Sequence, residues 1–133
     1  MKIMLDANVI YSAYILPDSS IANIIKHIKT YHTLVLCKHV IDEVESTIIK
    51  KRPYDILYIK RFISDLPDYV FVLDNYDIAD YPPIRDPKDL PILISAIQAK
   101  VDIFITGDKD FDEIKINKPR ILKPRQYQEE FMK

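Results

Sequence analysis

The sequence predicts an α/β fold built on one parallel sheet of five short strands, with helices covering both faces of the sheet. Short apolar runs alternate along the chain with segments whose apolar residues recur at helical spacing, and no repeat or linker interrupts them. Parallel strands are typically unbroken apolar runs, because both of their faces are buried. A chain of 133 residues has the length of one ordinary domain, so we expect residues 1–133 to form a single one.

The first third of the chain is predicted to hold two strands and two helices. Strand Ile3–Leu5 is followed by a short helix over Asn8–Leu16, which ends before a proline. Ser19 and Ser20 are of a type that caps helices, and the isoleucines after them recur at i, i+3, i+4 and i+7. Thr33–Cys37 is apolar and β-prone, which predicts the second strand.

The middle of the chain is predicted to hold two helices, one strand and a loop. Apolar stripes at helical spacing predict helices over Val40–Lys51 and Tyr54–Leu66, each closed by a nearby proline. Tyr69–Leu73 is the third predicted strand. Residues 74–88 contain three prolines and are predicted to form a long loop.

The last third begins with Asp86-Pro87, the expected order for a helix cap followed by the first helical position. The helix that follows, to about Lys100, is apolar almost all round, so we expect it to be buried against the sheet. The remaining predicted elements are two strands, Ile103–Thr106 and Arg120–Leu122, and a terminal helix over Lys123–Lys133.

Composition excludes several classes of protein. A net charge of −1 argues against a general nucleic-acid coat, whose affinity comes from many phosphate contacts. The single glycine, Gly107, excludes the glycine-rich loops that cradle nucleotides. No segment approaches the ~20 apolar residues of a membrane span, the first residues do not form a signal peptide, and Cys37 has no partner for a disulfide. We therefore expect a soluble cytoplasmic protein that does not associate with membranes.

Charge is unevenly distributed along the chain. Residues 65–89 hold seven Asp and two cations, whereas residues 114–133 hold six Lys or Arg and two Glu. Two solvated faces would explain this pattern. The alternative is a basic rim that guides a polyanion toward an acidic, metal-binding site.

Four carboxylates lie where apolar runs meet polar turns or helices: Asp6, Glu43, Asp89 and Asp108. Asp6 and Asp108 each follow a predicted strand, and parallel pairing would bring both to the carboxyl edge, where open α/β sheets bind ligands. Converging acids repel one another unless a cation lies between them, and magnesium or manganese prefers oxygen ligands. The sequence therefore indicates a metal-dependent enzyme that acts on phosphate.

Each of these acids also has a structural explanation. Asp6 and Asp108 are suited to cap the turns that follow them, and Glu43 suits a solvated helix face. Asp89 lies in the first turn of its helix, where the helix dipole favours an acid. However, Asp89 shares a face with apolar residues of a buried helix, and an unpaired buried carboxylate is costly. A bound cation would remove that conflict.

Four motifs carry a resemblance to a known family. They are LDANV with Asp6 and Asn8, IDEV with Glu43, RDPKD with Asp89, and TGDKDF with Thr106, Asp108 and Asp110. In this order the sequence resembles the PIN domain family, and within it the VapC-like toxins of prokaryotic toxin–antitoxin systems. The resemblance implies a three-layer α/β/α sandwich and metal-dependent endoribonuclease activity. It further implies a metal site formed by Asp6, Glu43, Asp89 and Asp108, with Asn8 and Thr106 orienting the ligands.

Alternatives stay open at three of these positions. Asp86 and Asp89 are one helical turn apart, and we favour Asp89 as the ligand because Asp86 serves as the cap. Asp110 is able to replace or assist Asp108. Glu43 is preferred to the neighbouring acids of its helix, which lie about 100° or more away around the helix axis.

The predicted reaction is hydrolysis of RNA phosphodiesters, with one or two Mg²⁺ or Mn²⁺ ions held by the four acids. One rival is a haloacid-dehalogenase-like phosphatase with Asp6 as nucleophile, which Asn8 disfavours because such enzymes carry a second acid there. The other is a catalytically silent PIN-like module that binds RNA or a protein, which the four intact acids disfavour. The resemblance also implies a small antitoxin partner and a homodimer, for which the candidate contacts are Tyr54, Tyr58 and Phe62.

Overall fold

The computed structural model describes residues 1–133 and contains one five-stranded sheet in which every pairing is parallel. The strand order is β3-β2-β1-β4-β5. The predicted three-layer α/β/α sandwich is confirmed. The strands are β1 (Lys2–Leu5), β2 (Thr33–Cys37), β3 (Tyr69–Phe71), β4 (Ile103–Ile105) and β5 (Arg120–Leu122). The six α-helices are α1 (Ala7–Ile15), α2 (Ser20–Tyr31), α3 (Lys38–Lys51), α4 (Ile56–Asp65), α5 (Leu90–Gln98) and α6 (Pro124–Phe131).

The three central strands are buried on both faces of the sheet. Ile3, Met4 and Leu5 of β1 are all 0% exposed, although successive strand residues point to opposite faces. β2 and β4 show the same uninterrupted burial. By contrast, Tyr69 and Val70 of β3 are exposed, because β3 lies at the edge of the sheet. The unbroken apolar runs thus mark the strands that helices cover on both sides.

The segment around Asp86 differs from the predicted continuous helix. Residues Pro87–Asp89 form a 3₁₀ turn, which Asp86 caps through its side chain, and α5 begins only at Leu90. Pro91 has no N–H to donate to the Pro87 carbonyl, and the Leu90 N–H donates to that carbonyl instead. The two prolines therefore tighten the first turn into a 3₁₀ geometry.

Other departures are small. The helix predicted over Tyr54–Leu66 divides into a 3₁₀ turn, Pro53–Asp55, and α4, and the third strand ends at Phe71. The predicted loop 74–88 is irregular apart from 3₁₀ turns at Ile78–Asp80 and from Pro87 onward. Each helix falls short of the length and apolar character that a membrane crossing requires.

The strand order reverses direction between β1 and β4. From β1 the chain extends the sheet through β2 to β3 on one side, and then returns to place β4 and β5 on the other. Their register pairs Leu5 with Ile105, so β1 and β4 end side by side. In open α/β sheets such a switch point leaves a crevice at the carboxyl ends of the strands, where ligands bind.

Candidate metal centre

The acidic residues that follow β1 and β4 meet at this switch point. Asp6 comes directly after β1, and its N–H donates to the carbonyl of Ile105 at 2.9 Å, which continues the sheet ladder by one residue. Thr106 comes directly after β4 and is 0% exposed. Asp108 follows two residues later and begins a 3₁₀ turn over Lys109–Phe111. The sheet itself therefore fixes where these side chains begin.

Asp6 is 5% exposed and both of its carboxylate oxygens are engaged. Oδ1 accepts a hydrogen bond from the Ala7 N–H at 2.8 Å, and Oδ2 accepts one from the Thr106 hydroxyl at 2.6 Å. Burial raises the pKa of Asp6, these two hydrogen bonds lower it, and the nearby charge of Asp108 raises it again. Asp6 is thus both the cap of α1 and a carboxylate held in a fixed orientation at the crevice.

Thr106 connects the two acids that follow the strands. While its hydroxyl donates to Asp6, the same oxygen accepts the N–H of Asp108 at 3.0 Å. Asp108 Oδ1 in turn accepts the N–H of Asp110 at 2.9 Å. The side chain of Asn8 lies beside this turn and accepts the N–H of Gly107 at 3.4 Å. Thr106 thus contacts Asp6 and Asp108 directly, Asn8 contacts the turn at Gly107, and the role of either residue toward a metal stays a prediction.

Gly107 does not adopt a left-handed conformation at this turn. A Cβ built there would lie 3.5 Å from Asn8 Nδ2, an ordinary contact distance. The turn therefore does not require glycine for backbone reasons. The one residue with positive φ is Lys100, which follows α5.

A second set of acids lies against the first. One ligand oxygen from each of Asp86, Asp89 and Asp110 comes within 4.8 Å of the others. Asp86 and Asp89 come from the 3₁₀ turn before α5, and Asp110 comes from the turn after Asp108. Asp86 and Asp110, which the sequence suggested only as alternatives or assistants, are thus in the tightest acidic group of the molecule.

Asp89 is the least satisfied of these acids. It is 8% exposed, and its Oδ2 is buried with no hydrogen-bond partner. Burial raises the pKa of Asp89 to about 7, with further contributions from the charge of Asp108 and from a hydrogen bond to Asp110. A buried oxygen without a donor is a costly arrangement that a cation would relieve.

Glu43 is an exposed residue of α3 that lies close enough to the other acids for their charges to affect it. Partial desolvation raises its pKa, and the charges of Asp6, Asp108 and Asp86 raise it further. The two neighbouring acids have cations of their own: Asp42 pairs with Lys38, and Glu45 pairs with Lys60. Glu43 is therefore the acid of α3 that has no cation of its own and interacts with the charges of the acidic group, while its role as a metal ligand stays a prediction.

Two cations in contact with the acidic turn were not anticipated from the sequence. Arg85 Nε donates to Asp110 Oδ1 at 2.7 Å. Lys123 Nζ lies 2.7 Å from Asp112 Oδ1 and 3.3 Å from the Asp108 carbonyl, so it ties the turn to the end of β5. The sequence feature that could have indicated a role for Arg85 is its position beside Asp86 in an Asp-rich loop.

The basic segment near the C-terminus is largely neutralised by ion pairs. Lys118 pairs with Asp102, Lys123 with Asp112, Arg120 with Glu130, and Arg125 with Glu129. Most of these cations are therefore committed to local partners. The structure favours solvated, internally paired faces over a basic rim.

The residues at this edge fit a hard divalent cation. Six carboxylates from four separate segments lie near one another there, all donors are oxygen, and one buried carboxylate oxygen lacks a partner. Mg²⁺ and Mn²⁺ are bound through such carboxylates and waters. The group contains no histidine or cysteine ligand, so it does not resemble a zinc site.

The fold is thus that of an α/β protein with a parallel sheet. Its candidate ligand site is the acidic crevice at the carboxyl edge, where the strand order switches. A sequence profile of the PIN domain family matches residues 2–110. The chain therefore belongs to the PIN domain family, a family of nucleases, and this prediction is confirmed.

The fold is also similar to that of a solved structure. A chain in the crystal structure of VapBC2 from Rickettsia felis, bound to a DNA fragment from their promoter, superposes with a TM-score of 0.69 and 17% identity. The match covers 92% of this chain and 98% of that chain. No curated protein sequence matches the chain.

Proposed function

We propose that this protein is a cytoplasmic, metal-dependent endoribonuclease that hydrolyses RNA phosphodiesters. The proposal depends most on the buried Asp89 oxygen that has no partner, although the carboxylates of Asp6, Asp86, Asp108 and Asp110 lie near this residue. Most buried polar atoms have a hydrogen-bond partner, and a bound ion is one of the recognised explanations for an exception. The family and the acidic crevice support hydrolysis of phosphate diesters at the same place.

The four acids Asp6, Glu43, Asp89 and Asp108 would hold one or two Mg²⁺ or Mn²⁺ ions. A bound ion would supply Lewis acidity, lowering the pKa of a water molecule and offsetting the charge that builds on the phosphate. Thr106 keeps Asp6 in one orientation and stabilises its ionised form. Glu43, at the exposed side of the group, is the carboxylate best placed to accept a proton from an attacking water.

The test is incubation of a panel of RNAs with the purified protein and Mn²⁺, comparing wild type with Asp89→Asn. Asp42→Asn is the matched control, because it removes one carboxylate of the same charge from an exposed ion pair. We expect cleavage by wild type and by the control, and none by Asp89→Asn. Equal cleavage by all three, or none by wild type, would contradict the proposal. Hydrolysis of p-nitrophenyl phosphate in place of RNA would indicate a phosphatase.

We further propose that a small antitoxin protein restrains this nuclease, with a basic side chain occupying the acidic crevice. Six neighbouring carboxylates favour a cation, and a guanidinium or ammonium group satisfies that requirement as well as a metal does. Expression with and without the adjacent small reading frame tests the proposal. Growth arrest only in its absence supports it, and equal growth in both cases counts against it.

A homodimer is proposed through the exposed face of α4 and of the 3₁₀ turn before it. Tyr54 and Tyr58 are 93% and 69% exposed, and Leu57 between them is 76% exposed. Phe62, the third predicted contact, instead packs edge-on against Tyr14 at a centroid distance of 5.4 Å and is half-buried. Light scattering should show a dimer that becomes monomeric in Leu57→Lys. Leu16→Lys, another exposed leucine, should leave the dimer intact, and a monomeric wild type would refute the proposal.

A further inference from the structure

Arg85 joins two separate parts of the acidic group. Its Nε donates to Asp110 Oδ1 at 2.7 Å, across 25 residues of sequence, while 68% of its side chain stays exposed. On one side of this bond is the segment that carries Asp86 and Asp89. On the other is the turn that carries Asp108 and Asp110. The bond therefore crosses between the two sources of carboxylates.

Residues 76–86 have no other polar connection to the rest of the molecule. Their remaining hydrogen bonds stay within residues 77–89, in the turns that Asp77 and Asp86 cap. The start of the loop is fixed separately, since the Asp74 N–H donates to Gln98 Oε1 at 2.9 Å. The end of the loop, directly before Asp86, is fixed through Arg85.

We propose that Arg85 is a positioning residue of the metal centre, whose hydrogen bond to Asp110 holds the segment with Asp86 and Asp89 against the turn with Asp108 and Asp110. The inference rests on the proposed function, because it assumes that these acids bind a cation. Arg85 itself touches neither the cation nor the substrate. It acts by keeping two groups of ligands together.

A positioning role and a purely electrostatic role predict opposite results. A positive charge beside an acidic site repels an incoming cation, so removing that charge alone should strengthen metal binding. Loss of a positioning contact should weaken it, and contacts that orient ligands typically account for about 10–100-fold in metal affinity. The sign of the change therefore distinguishes the two roles.

Glutamine at this position separates the hydrogen bond from the charge. The side-chain nitrogen of Gln is attached to Cδ, as Nε of Arg is, so Arg85→Gln keeps a donor where the bond to Asp110 is made. Arg85→Ala removes both the donor and the charge. Arg125→Ala is the control, because Arg125 also pairs through Nε with a carboxylate, Glu129, at 3.0 Å.

The experiment is a Mn²⁺ titration of the full-length protein, followed by the loss of the free-ion electron paramagnetic resonance signal. Arg85→Ala should bind about tenfold more weakly than wild type. Arg85→Gln, which keeps the hydrogen bond and loses the charge, should bind at least as tightly as wild type, and Arg125→Ala should match wild type. Affinity in Arg85→Ala that equals or exceeds that of wild type overturns the proposal. Mn²⁺ binding by Arg85→Gln that is as weak as binding by Arg85→Ala would also overturn the proposal.

Amide hydrogen exchange of the metal-free protein provides a readout that does not depend on the metal. The Lys88 N–H donates to Asp86 Oδ1, and the Asp89 N–H donates to the Asp86 carbonyl, both at 3.0 Å. Both amides should exchange faster in Arg85→Ala, while those of the central strands stay unchanged. If wild type binds no Mn²⁺, the proposed function fails, and exchange alone decides the role of Arg85. Unchanged protection of the Lys88 and Asp89 amides in Arg85→Ala would overturn the positioning role of Arg85.

Discussion

The two halves of the acidic centre are held in place by different means. Asp6 and Asp108 extend from neighbouring strands, and Thr106 bonds to both of them inside the core. Asp86 and Asp89 lie on a 3₁₀ turn after a long loop, and an exposed ion pair links that loop to Asp110. We call Asp6 and Asp108 the strand-held half of the centre, and Asp86 and Asp89 the loop-held half. The strand ends determine where the centre forms, and the loop-held half completes it.

This difference has a thermodynamic consequence. The strand-held half is satisfied internally, since both oxygens of Asp6 accept hydrogen bonds. The loop-held half contains the orphaned oxygen of Asp89, which lowers the stability of the metal-free protein. A catalytic role or a bound ion is a recognised explanation for such an unsatisfied group in a native protein. The predictions below aim to separate the two halves.

The largest expected effect is the contrast between Asp6→Asn and Asp86→Asn. Asp6→Asn removes a charge from the strand-held half and should reduce the rate of RNA cleavage by more than about 100-fold. Asp86→Asn removes one from the loop-held half and should reduce that rate by about tenfold. Cleavage rates at saturating Mn²⁺ measure both, with circular dichroism confirming the fold. Equal losses of cleavage rate in the two variants would contradict the proposed difference between the two halves.

Glu43 is expected to act together with the strand-held half, Asp6 and Asp108, although Glu43 itself lies on a helix. Glu43→Gln keeps the shape of the side chain and removes its basicity, so cleavage should fall by about 100-fold. Asp42→Asn, one residue earlier, should leave the rate unchanged because Asp42 pairs with Lys38. Single-turnover rates test this, and a larger loss in Asp42→Asn would show that the wrong acid of α3 was assigned.

Thr106→Val should affect both stability and the pH profile. It leaves a buried oxygen of Asp6 and the Asp108 N–H without partners, at a cost of about 1–3 kcal/mol in the free energy of unfolding. The Thr106 hydrogen bond lowers the pKa of Asp6, so its loss should move the acidic limb of the pH–rate profile to higher pH. Urea denaturation and pH–rate profiles measure the two effects. Thr106→Ser, which keeps the hydroxyl, should resemble wild type in both.

The last predicted effect concerns the pH dependence of the stability of the metal-free protein. The pKa of Asp89 is raised to about 7 in the fold, while an unfolded Asp titrates near 3.9. Between these values the folded state holds a proton that the unfolded state has lost, so stability falls as pH rises from about 4 to about 7. The difference in melting temperature between wild type and Asp89→Asn, in EDTA, should follow this course. A difference independent of pH would contradict it.

The sequence was sufficient to predict the sheet and the helices, whereas the metal site of four acids stays a prediction. Periodicity identified the strands because those buried on both faces are unbroken apolar runs, as Leu34–Cys37 illustrates. Parallel order then required Asp6 and Asp108 to share an edge. These conclusions depend on local pattern and on topology, both of which the sequence carries.

The details of the loop-held half were not predictable in the same way. The prediction of a continuous helix from Asp86 omitted the effect of Pro91 on the first turn. The bond between Arg85 and Asp110 spans 25 residues and depends on how an irregular loop is arranged. No periodicity specifies such a contact, so the close approach of Asp86, Asp89 and Asp110 emerges only in three dimensions.

The most direct measurement of the central claim is anomalous difference density from crystals soaked in Mn²⁺. The account predicts a peak in the crevice between the ends of β1 and β4, in contact with Asp6, Asp89 and Asp108 and absent from Asp89→Asn crystals. A map with no peak there, or with a peak that persists in the variant, would contradict the claim that these acids meet around a cation.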